Sequence, residues 1–351
     1  MTYRYGAPSA LIIAFAACAP LAASPSAGGL PPTKAAPVVI EMFGTKQVTM
    51  EHLVSSYGKQ LRELCNARPP DPTRLLAHLE ALGDFADVEL GLVGPYDPND
   101  MKCYVTVDFV DRADAGRRMP FWPEPTGTYQ DPDGLLADWH TYEAKERDLV
   151  ASNQLSSQRV ECPAFHCLGD HSHPALSRLA DRFIKRVPAN VKGLAAILRD
   201  DRWPSHRAAA AYLLAYSTDG PALVNRMLAA SCDSVGLVRN NALRVLSDIA
   251  LYHPELEIPI APVLAALEYP TTLDRNKAAA IILGLIERPT GDRLHLLIAQ
   301  RAGPTLLAML RLQVPNNHNF AYLILKAISG QGYGERDYAA WEGWLAHVIK
   351  S

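Results

Sequence analysis

The segment CPAFHCLGDHSH, residues 162–173, holds the densest set of chemically active side chains in this sequence, with two cysteines and three histidines. Zinc takes about four nitrogen or sulfur ligands. The segment offers these candidates: Cys162, His166, Cys167, His171 and His173. A disulfide between Cys162 and Cys167 is the simpler interpretation, because a loop of this length can bring the two β-carbons together. A thiol site that uses Cys167 and His171 is a third alternative, without a visible third group to orient them.

The rest of the sequence gives few signs of catalysis. It contains no nucleophile elbow, phosphate loop or HExxH motif, so we expect no enzyme activity and, apart from the zinc alternative, no cofactor. The 351 residues carry a net charge of −3, which argues against nucleic acid or an anionic membrane as a partner. Hydrophobic residues make up 48% of the chain, enough for packed cores in two or three domains.

The amino terminus predicts export. Residues 1–23 contain Arg4, an apolar stretch over residues 10–17 and then small residues, the layout of a bacterial signal peptide. Cys18 follows two alanines, as in lipoprotein signals. Two alternatives remain: the mature protein keeps a lipidated Cys18, or a signal peptidase removes the signal peptide and no lipid is attached. We expect a periplasmic or outer-membrane-attached bacterial protein, in contact with the membrane only through such an anchor. Residues 24–37 predict a flexible linker.

Residues 38–112 predict a small α+β domain in the order strand, helix, helix, strand, strand. Thr49 precedes a stretch with helical apolar spacing, and DPTRLLAHLEALGDF predicts a second helix. Alternating residues in ADVELGLVG and KCYVTVDFVD predict two strands. This order of elements resembles the polypeptide-transport-associated (POTRA) domain, and the segments that carry the resemblance are ALGDFADVELGLV and YVTVDFVD. The resemblance implies protein binding by strand addition at an exposed sheet edge.

The expected compartment predicts how the remaining cysteines pair. An oxidising compartment favours disulfides, and the five cysteines after Cys18 leave at least one unpaired. Cys65 ends the first predicted helix and Cys103 begins the last predicted strand. Because helix and sheet are packed layers, we predict a disulfide between Cys65 and Cys103.

Residues 113–173 predict a connecting segment. A loop rich in proline and aromatic residues comes first, followed by one amphipathic helix that Asp131 or Asp133 caps. The Cys/His segment ends this connection.

Residues 174–351 are rich in alanine and leucine and repeat at a spacing of about 30 to 45 residues, the sign of a stacked array. Each unit has an Arg or His three positions before an alanine: Arg207 and Ala210, Arg239 and Ala242, Arg275 and Ala278, His318 and Ala321. Asp201 and Asp233 lie six positions before Arg207 and Arg239. This spacing resembles the HEAT repeat, which implies a mainly α fold with an α-solenoid of about four repeats after the small α+β domain.

The HEAT resemblance also implies roles for single residues. The aspartate of one repeat pairs with the arginine of a neighbour, which predicts a structural ladder of Asp201, Arg207, Asp233, Arg239 and Arg275. We expect Asp201 to meet Arg239, and we expect the ladder to lapse toward the carboxyl end because Tyr269 replaces the aspartate there. Trp341 and Trp344 are expected to cover the last repeat.

An asparagine comes directly after two of the ladder arginines in the sequence. Asn240 and Asn276 could form a polar binding row, because stacked repeats place equivalent residues side by side. Lys277 is expected to be solvated.

These features predict a non-catalytic scaffold. A solenoid has a long, shallow surface suited to extended protein partners. We therefore expect protein binding in the periplasm or at the outer membrane, with no nucleic acid partner. The alternative is a metal-dependent or thiol enzyme centred on residues 162–173.

Overall fold

The computed structural model describes residues 37–66, 69–94, 102–155 and 161–350. The predicted signal peptide with Cys18 and nearly all of the predicted linker lie outside these residues. The described chain begins with a unit of five elements, here the small unit: β1 (Val38–Phe43), α1 (Met50–Glu63), α2 (Thr73–Glu80), β2 (Phe85–Val93) and β3 (Cys103–Asp111). Their order is the one that the sequence predicts.

The part of the chain that follows the small unit is helical. Its helices are α3 (Ala115–Arg118), α4 (Leu135–Ala151), α5 (Ser177–Asp200), α6 (Pro204–Leu214), α7 (Gly220–Ala230), α8 (Gly236–Tyr252), α9 (Ile260–Ala266), α10 (Thr272–Ile286), α11 (His295–Leu310), α12 (Pro315–Ser329) and α13 (Tyr338–Lys350). The protein is therefore mainly helical with a small three-stranded sheet. Among the helices described, none is both long and apolar enough to span a membrane.

The sheet of the small unit has the strand order β1-β3-β2. β3 is central, parallel to β1 and antiparallel to β2. Helices α1 and α2 cover one face and form a core of their own around Leu53, Leu79 and Phe109. The Thr49 side chain caps α1 by accepting a hydrogen bond from the His52 N–H.

The opposite face of the sheet packs against the helical part. Phe43, Val93 and Tyr104 belong to the core of the helices. The buried carboxylate of Glu41 accepts hydrogen bonds from the backbone N–H groups of Gln313 and Val314, at 2.7 and 3.2 Å. The small unit is therefore held by polar contacts as well as by apolar packing.

The helices from α5 to α12 pack in pairs. Helices α6, α8, α10 and α12 lie side by side in that order, and we name them the main layer. Helices α5, α7, α9 and α11 each pack against the helix that follows. The repeated alanines each stand at the seventh position of a main-layer helix and are fully buried: Ala210, Ala242, Ala278 and Ala321. Their small side chains let neighbouring helices approach closely.

An irregular segment, residues 119–129, runs across the turns that precede the main-layer helices, and we name it the strap. Its Trp122 N–H donates to the Cys232 carbonyl at 2.9 Å, and its Gly127 N–H donates to the Asp200 carbonyl at 3.0 Å. The Arg239 guanidinium lies 3.8 Å from the centre of the Phe121 ring. The strap therefore covers the turns before α6 and α8.

Helix α13 closes the carboxyl end against α11. Trp341 is fully buried, and its Nε1 donates to the Gly334 carbonyl at 2.9 Å. Its ring makes edge contacts with Tyr322, Tyr333 and Trp344. These aromatic residues bury the apolar end of the helices.

Candidate functional site

Arginine side chains join successive turns at one end of the main layer, which we name the ladder edge. Arg207 binds both oxygens of Asp233, at 2.7 and 2.8 Å. Arg239 binds Asp274 at 2.8 Å. Each guanidinium also donates to the carbonyl six residues earlier, that of Asp201 or Asp233. Both ion pairs are nearly fully buried, so removal of one partner leaves a charge in a poorly solvated place.

The third arginine takes its carboxylate from the small unit. Arg275 binds both oxygens of Asp108 on β3, at 2.6 and 3.1 Å. It also donates to the Asn317 amide oxygen at 3.1 Å and to the Tyr269 carbonyl at 3.0 Å. The expected lapse at Tyr269 does not occur, because Asp274 binds Arg239 in place of an aspartate at position 269. Asp108 and Asn317 supply the acceptors for Arg275.

One predicted pair is wrong: Asp201 does not bind Arg239. The Asp201 carboxylate accepts from the Trp203 N–H at 2.8 Å and lies 3.4 Å from His206 Nδ1. The arginines bind forward, to a carboxylate or amide of the next turn. Asp201 stands in the first of these turns, so it has no preceding arginine to bind.

We expect non-additive effects for Arg239→Ala and Asp274→Ala, because both remove the same buried pair. Their coupling energy should be about 1–3 kcal/mol, whereas Asp201→Ala and Arg239→Ala should add within about 0.5 kcal/mol. Urea unfolding of the single and double variants measures both quantities. Coupling near zero between positions 239 and 274 would contradict the pairing.

The predicted binding row of Asn240 and Asn276 is also wrong. Their side chains are only 9% and 8% exposed, too little for an exposed binding surface. The amides that join helices are the Nδ2 groups of Asn241 and Asn317, which donate to carbonyls of the preceding main-layer helix at 3.1 and 3.0 Å. Asn241 and Asn317 thus join neighbouring helices of the main layer.

Lys277, which we expected to be solvated, is 3% exposed on α10. Nearly every residue of α10 is buried, so this helix has no solvent face to hold a lysine. Burial, together with the nearby Arg244 guanidinium, lowers the pKa of Lys277 from 10.5 to about 7, against the opposing effect of Asp248.

Lys277→Met is expected to stabilise the protein, and more at pH 6 than at pH 9. The folded pKa lies below the unfolded one, so the unfolded chain binds more protons between about pH 7 and 10.5. The free energy of unfolding of the wild type therefore rises with pH across that window, because the free-energy cost of burying Lys277 falls. The gain from Lys277→Met should shrink by roughly 2–3 kcal/mol between the two pH values. Denaturant unfolding at both pH values tests this, and an unchanged gain would contradict it.

The Cys/His segment is a disulfide loop in the structure. Cys162 is joined to Cys167, with Cα atoms 5.7 Å apart. His166, between them, is 6% exposed, and its Nδ1 lies 2.8 Å from Asp248 of α8. Its ring stacks on Tyr212 of α6 at 5.0 Å between ring centres. The loop is thus fastened to the main layer.

The candidate metal ligands of this segment do not converge. The sulfurs of Cys162 and Cys167 are bonded to each other, and His166 binds Asp248. Over the described ranges, no three His, Cys, Asp or Glu side chains are grouped to hold a metal ion. A Cys167–His171 thiol site needs a free thiolate, which the disulfide removes.

The other cysteines also have definite places. Cys65 is joined to Cys103, with Cα atoms 6.2 Å apart. Cys232 is free, and its Sγ lies 3.6 Å from the Tyr269 hydroxyl oxygen.

A groove of about 450 Å³ lies between the strap and the ends of α5 and α7, next to the ladder edge. We name it the strap groove. Its apolar lining includes Trp122, Pro123, Pro125, Ala195, Leu198 and Ala229. The Trp122 indole is 46% exposed. The volume lies within the usual range of ligand sites, and the groove is the candidate functional site.

The charged side chains of the strap groove differ in whether they have an ion-pair partner. Arg199 binds Asp200 at 2.7 Å, and Asp233 is taken by Arg207. Arg226 of α7 forms no ion pair with any described residue, and its buried Nη1 has no hydrogen-bond partner. The groove therefore has one unpaired positive charge on an apolar wall.

The sequence patterns do not predict this groove. Trp122 and the prolines lie in a segment that indicates only a loop, and Arg226 belongs to no repeated pattern. The side chains come from distant segments, so only the fold brings them together.

Comparison with known proteins identifies no family: no protein-family model matches this chain, and no curated protein matches it.

Proposed function

We propose that this chain is an exported, non-catalytic scaffold that binds protein partners through the surface of a HEAT-like helical stack. The observation that carries the proposal is the strap groove, whose apolar lining includes the exposed Trp122 indole. Contiguous exposed apolar surface marks interaction sites, and tryptophan is enriched among residues that dominate binding energy.

The arrangement of the helices supports a HEAT-like stack. Helices α5 to α12 pack in successive pairs, and buried arginine pairs join the turns between them. Stacked pairs of this kind offer extended binding surfaces. A POTRA-like role for residues 38–112 belongs to the same proposal, and strand addition there would use an outer strand, β1 or β2.

Two disulfides, Cys65–Cys103 and Cys162–Cys167, are compatible with an oxidising, exported location. They support a place in the periplasm, or at the outer membrane if Cys18 carries a lipid. The thiol form of the alternative enzyme is not supported, because Cys167 is part of a disulfide. A stoichiometric metal ion in the purified protein would favour the metal-dependent form.

A crosslinking pull-down from the native cell envelope tests the scaffold function. Trp122→Ala is expected to lower recovery of the crosslinked partner about tenfold or more, because truncation of a central aromatic residue often costs about 2 kcal/mol or more. Leu296→Ala is the matched control, since Leu296 is 55% exposed on α11 and lies outside the groove. Equal recovery with both variants would contradict binding at the strap groove.

A further inference from the structure

We propose that the strap groove takes a segment of a partner protein that presents a carboxylate beside an apolar side chain, and that Arg226 binds this carboxylate. This inference rests on the protein-binding function proposed above. It adds the chemistry of the partner and the residue that recognises it.

The unpaired guanidinium points to a carboxylate. Arg226 is half-buried in the wall of the groove and forms no ion pair with any described residue. Its Nη1 is buried, so a ligand in the groove would bind the other guanidinium nitrogens. A guanidinium presents a planar set of donors that binds a carboxylate through two parallel hydrogen bonds. A carboxylate in the groove would supply the counter-charge that the Arg226 guanidinium lacks.

The neighbouring charges disfavour other ligands. Asp200 and Asp233, the two carboxylates of the groove, are bound by Arg199 and Arg207. A cationic ligand would therefore meet no unpaired carboxylate there and would be repelled by Arg226. A neutral apolar ligand would cover Arg226 and leave its charge unpaired, which is unfavourable.

The walls select the apolar part of the ligand. Trp122, Pro123 and Leu198 line the groove near these charges, and burial against them favours an aliphatic or aromatic side chain. A volume of about 450 Å³ holds a few residues, not a folded domain. A short extended segment with an acidic group therefore fits better than a large surface.

Bead-displayed random heptapeptides test the inference directly with the purified protein. One library has free carboxyl termini, and the other has amidated termini with Asp and Glu inside the sequence. Wild-type protein is expected to enrich peptides with a carboxylate beside an apolar residue, and the library that yields them identifies a terminal or a side-chain carboxylate. Arg226→Gln should weaken binding of the enriched peptides at least about tenfold. Lys185→Gln, at an exposed lysine of α5 outside the groove, should leave binding unchanged.

Thermal unfolding separates lost recognition from lost folding. Arg226→Gln should not lower the melting temperature, because the buried Nη1 has no partner to lose. Arg226→Lys keeps the charge without the two-pronged geometry, so it should bind with intermediate affinity. Undiminished peptide binding by Arg226→Gln, or wild-type enrichment of peptides without carboxylates, would overturn the inference.

The envelope pull-down distinguishes the two levels of the proposal. If neither library is enriched while Trp122→Ala still lowers partner recovery, the carboxylate inference fails and the scaffold function stands. If Trp122→Ala also leaves recovery unchanged, binding at the groove fails as well.

Discussion

Replacing Arg275 by alanine is expected to lower the free energy of unfolding by about 3–5 kcal/mol. The Arg275 guanidinium is fully buried and binds the Asp108 carboxylate, which is also fully buried. It donates in addition to Asn317 and to the Tyr269 carbonyl. Alanine would leave the buried Asp108 carboxylate without the guanidinium that binds both of its oxygens. Urea denaturation followed by tryptophan fluorescence measures the loss.

Two comparisons isolate the pair. Adding Asp108→Ala to Arg275→Ala should cost less than the sum of the single changes, because the second truncation removes the stranded charge. Lys185→Ala changes an exposed lysine on α5 and should stay within about 0.5 kcal/mol of wild type. If Arg275→Ala costs no more than Lys185→Ala, the buried pair does not stabilise the fold.

Removing the Cys65–Cys103 disulfide by serine substitution at both positions is expected to cost about 4 kcal/mol. The bridge joins cysteines 38 positions apart and ties the end of α1 to the start of β3, so its loss frees a long loop in the unfolded chain. The small unit also has a limited core of its own, and small cores depend strongly on such links. Denaturant unfolding without reductant measures the effect.

The second disulfide is the internal control. Cys162 and Cys167 are only 5 positions apart, so the same chain-entropy estimate gives about 2 kcal/mol. The longer loop should therefore show the larger effect. A reversed order would argue against this entropic explanation, and non-reduced peptide maps with free thiols at positions 65 and 103 would contradict the bridge itself.

Local signals predicted the small unit well. Alternating apolar residues marked β2 and β3, and Thr49 marked the start of α1, because these features depend on neighbours in sequence. Both disulfides also followed from position and expected compartment. Arg207 and Arg239 lie in the first turns of α6 and α8, and each donates to the carbonyl of the aspartate six positions earlier.

Partners chosen in three dimensions were not predictable in the same way. Arg239 is bound by Asp274, which lies inside the first turn of α10 and not in the turn before it. Arg275 is bound by Asp108, which lies on a strand 167 positions earlier in the chain. Lys277 looked solvated because single residues do not show that α10 is buried on nearly all sides. The strap groove depends on the path of an irregular segment, which no periodicity records.

The Asp108–Arg275 pair makes the predicted domain boundary at residue 112 a poor place to divide the chain. The two parts have separate apolar cores, yet the small unit completes the hydrogen bonding of a buried arginine in the helices. A fragment that starts after residue 112 would keep Arg275 without its carboxylate. Contacts of such long range form late in folding, so the helices should reach full rigidity only after the first-made part of the chain has docked.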